Sequence, residues 1–308
     1  MKYLKLIRYQ NLLLLAFMQL IFRYGFLKFQ DIFLYLDDWQ YGLLVLSTVL
    51  IAAAGYIIND IMDQETDNYN KPEDAIVGKS ISEKVAYNLY FVLNITGVCI
   101  GYYLANVIHK PSFAGAFIII SATLYMYASS LKQMLIIGNM IVALLLSFSV
   151  IIIGLFDLLP STYDGNQPKM GHFFSILIHY AVFAFIINFI REIVKDMEDV
   201  DGDNETGMST LPIVLGINKT SKVVAVLGII ATVILLWYIN SNLMSLKLYY
   251  AVIYGLLFVV APMIFFLVKI WNAKSKKEFH MLGSVLKLVI FFGILSIMVS
   301  TLNRMYSA

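Results

Sequence analysis

Two short segments of this chain place carboxylates directly after a long apolar run. "NDIMDQETD" at 59–67 follows "GLLVLSTVLIAAAGYII", and "REIVKDMEDVDGD" at 191–203 follows "FFSILIHYAVFAFIINFI". If each helix continues into its acidic segment, polar residues three or four apart share one face, one turn apart. The residues on these two stripes are Asn59, Asp63 and Asp67 in the first segment, and Glu192, Asp196, Asp199 and Asp203 in the second. Like charges on neighbouring turns destabilise a helix, so both stripes indicate a bound cation.

The donor atoms of the stripes indicate which cation would bind. They are all oxygens, a set that favours a hard ion such as Mg²⁺. Mg²⁺ typically takes one or two carboxylates and completes its shell with water and phosphate oxygens. Two stripes that face one another would therefore hold two or more such ions with a diphosphate between them. That arrangement would draw a diphosphate leaving group away from carbon.

Two simpler interpretations of the acidic segments compete with a magnesium site. Acidic residues at a helix end often form only a solvated loop, and "DVDGDNETG" resembles a loose Ca²⁺ loop. The Ca²⁺ interpretation fails because no Glu occupies the twelfth position. A pair of stripes on the same side, each closing a membrane helix, argues against a merely solvated loop.

The elements that position these segments are predicted to be membrane helices. The chain has 308 residues, of which 60% are hydrophobic and 14% charged, with a mean hydropathy of +0.79. That charge is too sparse for a soluble surface, and about 20 apolar residues span a bilayer. Nine such stretches occur, at 11–28, 40–58, 85–108, 112–130, 134–156, 172–194, 222–241, 247–271 and 281–303. The predicted fold is all-α: a polytopic membrane protein with nine transmembrane helices in one bundle, as a single domain over 1–308 with cytoplasmic acidic loops.

Lysine and arginine predict the orientation of the bundle. With a cytoplasmic N-terminus, fifteen of the 22 lie inside and six outside, while Lys287 falls within the last helix. This bias puts both acidic segments on the cytoplasmic side of a bacterial or archaeal-type cell membrane, surrounded by membrane lipids. The net charge of +2 adds nothing about partners, because the distribution of charge carries the information. No nucleic acid is expected as a partner, and no obligate protein partner is evident. The single cysteine, Cys99, excludes a disulfide framework and a cysteine-based metal site.

Several motifs resemble the UbiA-type intramembrane prenyltransferases. "NDIMDQETD" fits the N-D-x-x-D-x-x-x-D signature of that family, and "DMEDVDGDNETGMSTLPIVLG" is similar to its second acidic motif with a trailing G-x-x-T-L-P. "LYMYASSLKQMLIIGNMIVA" at 124–143 resembles the segment where a Tyr-rich helix leads to a Lys and a Gly-Asn pair. Nine helices with cytoplasmic acidic loops match as well. By motif the resemblance covers about 40 to 220.

The resemblance implies a reaction and a set of site residues. An allylic prenyl diphosphate ionises against Mg²⁺, and a lipophilic acceptor captures the resulting carbocation-like carbon. The implied metal ligands are Asn59, Asp63, Asp67, Asp196, Asp199 and Asp203. The implied catalytic residues are Asp63, Asp67, Asp199, Asp203 and Lys132. The implied substrate-binding residues are Asn59, Lys71, Lys79, Tyr125, Tyr127, Arg191 and Lys195.

Some of these residues have simpler interpretations. Lys132 and Lys79 are equally compatible with a lipid-headgroup or orientation role. Arg191 and Lys195 flank the second stripe and could serve only to pair with its carboxylates. Packing is the alternative for the two tyrosines, whose rings could otherwise stabilise a carbocation.

One departure from the family pattern affects the expected phosphate contacts. Members often carry N-K-P-x-R-P after the first motif, whereas this chain has "NKPEDAIVGKSIS". Asp74 thus replaces a basic residue and Ala75 a proline. Since an anion cannot hold diphosphate, Lys71 or Lys79 is expected to take over that role.

The acceptor is predicted from resemblance alone. "REIVKDMEDVDGD" most resembles the branch that transfers geranylgeranyl to geranylgeranylglyceryl phosphate, whereas sister branches use 4-hydroxybenzoate or dihydroxynaphthoate. A cation transporter is the alternative from another class, but transport sites lie near the midplane on interrupted helices. A CDP-alcohol phosphotransferase would require D-G-x-x-A-R, and Asp201-Gly202 is not followed by that pattern.

Overall fold

The residues that the structure describes form nine long helices, in agreement with the predicted all-α membrane fold. The structure, a computed structural model, describes residues 1–70 and 75–307, with the side chains of 68–70 and 307 left out. Within those residues, nine helices are long and apolar enough to cross a membrane. We name them in chain order α1 Tyr9–Phe29, α2 Asp38–Met62, α3 Glu83–Val107, α4 Pro111–Ser129, α5 Ile137–Ser161, α6 Gln167–Glu198, α7 Ile217–Met244, α8 Tyr249–Ile270 and α9 Lys276–Tyr306.

The first helix accommodates a charged residue in its apolar sequence. Arg23 is only 2% exposed, and its Nε lies 3.3 Å from Oδ2 of Asp157, which is fully buried near the end of α5. The guanidinium also stacks 4.3 Å from the ring centroid of Tyr41 on α2. An intramembrane charge is tolerated when it faces the bundle interior and has a partner. This contact explains how a run interrupted by arginine still forms a membrane helix.

Small residues let α2, α3 and α4 pack closely. Ser47 Oγ on α2 donates a 2.7 Å hydrogen bond to the carbonyl of Gly97 on α3. A Cβ at Gly97 would lie 2.7 Å from Ile51, and one at Gly101 would lie 2.4 Å from the ring of Phe117 on α4. Glycine at the interface of membrane helices permits such close backbone approach. This contact fixes the rotation of α2, which carries the first acidic segment.

The long helices end inside the acidic segments, contrary to the expectation of continuous helices. α2 ends at Met62 and a short helix, Gln64–Asn70, follows it, while α6 ends at Glu198 and is followed by Val200–Glu205. The bonds Asp67 N to Asp63 O, 2.8 Å, and Asp203 N to Asp199 O, 3.2 Å, still span each junction. The one-turn spacing of the polar residues therefore persists although the helix bends away. The two short helices pack against each other on one face of the bundle.

Candidate active site

The first acidic segment is organised around Asp63 at the end of α2. Asn59 Nδ2 donates a 2.6 Å hydrogen bond to Asp63 Oδ2, as expected for side chains one turn apart. Lys132 Nζ, in the connection between α4 and α5, forms an ion pair with the other oxygen, Asp63 Oδ1. Lys132 and Asp63 are 8% and 15% exposed, so this pair is largely shielded from solvent. The predicted phosphate-binding lysine thus contacts a predicted metal ligand.

The second acidic segment is held by the start of α5. Asn139 Nδ2 donates a 2.8 Å hydrogen bond to Asp196 Oδ2, in the last turn of α6. Asp203 is buried in the short helix that follows, and its carbonyl accepts from the amide of Met208 at 2.9 Å. The carboxylates therefore lie on a scaffold ordered by α5 and by the chain after the short helix.

The structure brings the two acidic segments together, as the facing stripes required. Thr66 Oγ1 of the first lies 3.3 Å from Thr206 Oγ1 at the end of the second. The amide of Ser209 donates to the carbonyl of Gln133 at 3.1 Å, which ties the second segment to the loop that carries Lys132. Three connections of the bundle thus meet at one face.

The donor set at this face fits a hard cation with an incomplete protein shell. Asn59 Oδ1 is buried and accepts no hydrogen bond from the described residues. Burial, with the charges of Asp63 and Asp60, raises the pKa of Asp67 to about 6, as expected where negative charge lacks full compensation. Among the described residues, no three acidic, histidine or cysteine side chains already converge on one point. Mg²⁺ is compatible with that arrangement because it takes few carboxylates and keeps water and phosphate oxygens.

A long apolar cavity of about 350 Å³ opens beside the acidic segments. Asn59 and Tyr127 line it close to the carboxylates, and Arg8 lines it at the N-terminal end of α1. Phe22 lines the same cavity fourteen residues further along α1, roughly 21 Å away at the helical rise. The rest of the wall is mainly aliphatic and aromatic. A cavity of this shape can hold a hydrocarbon chain whose polar end reaches the carboxylates.

The predicted tyrosines separate into one residue at the cavity and one away from it. Tyr127 lines the cavity and is half-buried, whereas Tyr125 is 45% exposed and does not line it. The ring of Tyr125 lies 6.5 Å from that of Tyr90 on α3. The two rings lie apart because residues two apart on a helix point in different directions, so the structure brings only Tyr127 to the cavity.

The basic residues predicted to bind substrate also differ in position. Arg191 and Lys195 line the cavity, and Arg191 Nη1 lies 3.1 Å from Glu192 Oε1. Lys79 lies in an exposed turn before α3. Lys71 lies outside the described residues, as does Asp74, at which the chain departs from the family pattern.

Sequence reasoning missed several polar residues at the mouth of the cavity. Arg8 lines the cavity and pairs with Asp60 at 2.9 Å, and Lys287 lines it from α9. Asn139, which positions Asp196, belongs to the Gly-Asn pair of the third motif. The sequence does show that Lys287 lies within an apolar run, and a charged residue in such a position usually faces a cavity or a partner.

Comparisons with known proteins agree with this architecture. Residues 29–298 match the model of the UbiA prenyltransferase family. The digeranylgeranylglyceryl phosphate synthase of Thermococcus gammatolerans is 32% identical over 261 residues, with 84% of this chain and 85% of that protein covered. A solved structure concerned with digeranylgeranylglyceryl phosphate synthase in membranes has a TM-score of 0.61 at 23% identity and covers 97% of both chains. A UbiA homolog from Archaeoglobus fulgidus bound to GPP and Mg²⁺ has a TM-score of 0.60 at 16% identity and covers 96% of this chain and 99% of its own. These two structural matches support the fold.

Proposed function

This chain belongs to the UbiA prenyltransferase family, and from that premise we propose that it transfers a geranylgeranyl group from its diphosphate to geranylgeranylglyceryl phosphate, with Mg²⁺ as cofactor. The observation that carries the proposal is the apolar cavity that runs roughly 21 Å from the carboxylate face into the bundle. A prenyl diphosphate has the same division, with a charged head and a long hydrocarbon tail.

The acidic face is suited to a diphosphate head group. Asn59, Asp63 and Asp67 of the first segment and Asp196, Asp199 and Asp203 of the second would hold Mg²⁺, which offsets the charge that develops on the leaving diphosphate. Lys132 is placed to donate to diphosphate oxygens once it leaves Asp63, and Asp63 would then be available to the cation. Charge stays balanced before and after the diphosphate binds. Asp63 pairs with Lys132 before binding, and with Mg²⁺ once Lys132 donates to the diphosphate.

The cavity walls are suited to the chemistry at carbon. Tyr127 lies at the cavity near the carboxylates and presents an aromatic ring where positive charge develops on the allylic carbon. Beyond it, the aliphatic wall excludes water, which would otherwise compete with the acceptor for that carbon.

The acceptor is assigned from the names of relatives and from charge. Relatives such as the Thermococcus gammatolerans protein are digeranylgeranylglyceryl phosphate synthases. Four cations, Arg8, Arg191, Lys195 and Lys287, line the cavity of this chain, in addition to Lys132 at Asp63. A phosphorylated acceptor needs more positive charge than the donor diphosphate alone, whereas an aromatic acid needs one cation. The abundance of cations therefore favours the glyceryl phosphate.

The proposal is tested with the purified protein in detergent or liposomes. Labelled geranylgeranyl and farnesyl diphosphate are each offered with geranylgeranylglyceryl phosphate, 4-hydroxybenzoate or dihydroxynaphthoate, with Mg²⁺ present. We expect transfer to the glyceryl phosphate and little to the aromatic acids. Efficient prenylation of an aromatic acid, with the glyceryl phosphate ignored, would overturn the acceptor but leave the family unaffected.

The orientation of the protein is part of the proposal. The chain is an integral, multi-pass membrane protein, and the excess of Lys and Arg on the loops beside the acidic segments supports a cytoplasmic site. Both substrates would then reach the protein from the bilayer with their phosphates in the cytoplasmic half of the bundle.

A further inference from the structure

Lys287 is a charged residue within the apolar sequence of α9, and it lines the cavity. Its side chain is exposed, whereas Leu286 and Val289 beside it are buried at 0% and 3% exposure. A lysine inside a membrane helix is costly unless it faces a partner or a water-filled cavity. Its position on the cavity wall therefore requires an explanation in terms of a bound group.

Two contacts fix the depth of Lys287 relative to α6. His280 Nδ1 of α9 lies 3.1 Å from Glu198 Oε1 at the end of α6, and Tyr180 Oη lies 2.8 Å from Ser296 Oγ much deeper. The two helices therefore run antiparallel in a defined register. Seven residues, or two turns, lead from His280 to Lys287, and seven lead back from Glu198 to Arg191. Lys287 and Arg191 thus lie at one level, about 10 Å below Glu198, at which α6 ends.

The charges around this level are predominantly positive. Those that act most strongly on Lys287 are the cations Arg191, Lys195 and Arg8 and the carboxylate Glu192. Arg8 is paired with Asp60 at 2.9 Å, and Arg191 with Glu192 at 3.1 Å. Cations thus outnumber carboxylates next to Lys287, while Asp196 and Asp199 act on Lys195 from the following turns of the chain.

Arg191 also has hydrogen-bonding capacity that its ion pair does not use. Its Nε is buried and has no hydrogen-bond partner among the described residues. An unpaired buried donor beside excess positive charge is an unfavourable arrangement that a bound anion relieves. The side chains of Lys287 and Arg191 are therefore suited to bind an anion.

We propose that Lys287 and Arg191 bind the phosphate of the acceptor, as an anion site separate from the one that holds the donor diphosphate. The inference rests on the proposed function and names the residues that would recognise its second substrate. A phosphate monoester carries about −1.5 to −2 charges at neutral pH, and Lys287 together with the unused Nε of Arg191 can bind such an anion. Along α6, Arg191 lies about 7.5 Å below Asp196 and about 12 Å below Asp199, which leaves room for both phosphorylated groups.

The test replaces Lys287 by methionine, which retains the length of the side chain and removes its charge. Steady-state kinetics are measured with geranylgeranyl diphosphate and two acceptors, geranylgeranylglyceryl phosphate and the same lipid without its phosphate. We expect Lys287→Met to raise KM for the phosphorylated acceptor roughly ten- to hundredfold, as for loss of a hydrogen bond to a charged group. KM for the donor and the rate with the unphosphorylated acceptor should stay unchanged, and Lys287→Arg should retain most of the wild-type affinity.

Two further measurements keep the test decisive. Lys277→Met removes an exposed lysine from the first turn of the same helix and should leave every constant unchanged. Thermal stabilisation of the detergent-solubilised protein by geranylgeranylglyceryl phosphate, with no donor present, should be lost in Lys287→Met. Lys287→Gln serves as the second neutral variant if the methionine variant is not recovered folded.

The outcomes separate this inference from the proposed function. An unchanged acceptor KM in an active Lys287→Met enzyme, or an increase in the donor KM instead, overturns the phosphate site and leaves the proposed function unaffected. Failure of the wild type to use the phosphorylated acceptor, with efficient use of an aromatic acid, overturns the proposed function and the phosphate site together.

Discussion

Asp63 and Asp199 occupy equivalent positions in the two acidic segments. Each is the residue at which a long helix ends and a short one begins, with φ and ψ of −96° and 9° at Asp63 and −100° and 10° at Asp199. Because the chain bends at these residues, the two short helices that follow them pack against each other. The bend and the one-turn spacing together therefore place oxygen ligands from two helices on one face of the bundle.

Replacement of either junction aspartate tests the metal-binding role. Asp63→Ala and Asp199→Ala should each reduce prenyl transfer by orders of magnitude, because each removes a charged donor at which the leaving diphosphate is stabilised. Glu65→Ala is the matched control, since Glu65 is exposed in the short helix that follows Asp63. Product formation from labelled donor is measured at saturating Mg²⁺, with near-normal activity expected for the control.

Removal of the cation gives an independent test of the same role. EDTA should abolish transfer by the wild type, and excess Mg²⁺ should restore it. Full activity in the presence of the chelator would contradict the magnesium-binding role of both acidic segments.

The two tyrosines of α4 provide a second comparison at the residue scale. Tyr127→Leu should lower turnover about tenfold, since a cation–aromatic interaction in a desolvated site contributes on the order of 1–2 kcal/mol. Tyr125→Leu should retain turnover, because Tyr125 lies outside the cavity against Tyr90. The measurement is kcat at saturating donor and acceptor. An equal loss of kcat in both variants would contradict a specific role for the ring of Tyr127 at the cavity.

At the scale of elements, the position of α2 depends on close packing against α3. α3 in turn contacts α4 at Gly101, where a Cβ would lie 2.4 Å from the ring of Phe117. Phe117 is 1% exposed, so its ring has little space into which it could move. The interface therefore tolerates no side chain at this glycine, although the glycine is distant from the acidic segments.

A pair of glycine substitutions tests this packing. Gly101→Ala should destabilise the protein by about 1–3 kcal/mol, the usual cost of overpacking, and lower Tm in detergent. Gly115→Ala on α4 is the control, since no neighbouring atom lies within 4 Å of the position that its Cβ would take, and alanine favours the helix. Thermal unfolding of both variants is compared with the wild type. A Gly101→Ala protein as stable as the control would show that the interface can relax.

At the scale of the whole molecule, the acidic segments and the cavity mouth lie on one face of the bundle. The connections that meet there carry Lys132, the two short helices and Ser209, and Lys and Arg are concentrated on the same side. The distribution of Lys and Arg therefore predicts that this face is cytoplasmic.

Cysteine labelling tests that orientation. In a Cys99→Ala background, a cysteine introduced by Ser82→Cys, at the start of α3, should react only with reagents that cross the membrane. Ser112→Cys, at the opposite end of that hairpin, should react with an impermeant reagent in intact cells. Both serines are exposed, so a difference in labelling reports sidedness. The reverse pattern would place the acidic face outside.

Much of this architecture was predictable from the sequence because its causes are local. Apolar runs of about 20 residues become helices, since a helix satisfies its own backbone hydrogen bonds within the bilayer. The one-turn spacing of Asn59, Asp63 and Asp67 follows from helical periodicity. The motifs likewise indicated the family without reference to any contact.

Only the tertiary structure decided which side chains meet. The partners of Asp63 and Asp196, Lys132 and Asn139, come from another part of the chain, and nothing in the local pattern specifies either contact. The rotation of α4, which directs Tyr127 inward, and the register of α9, which brings Lys287 level with Arg191, depend on packing against neighbouring helices. Hydropathy determines that a helix spans the membrane, but its rotation and register depend on side-chain contacts with residues distant in sequence.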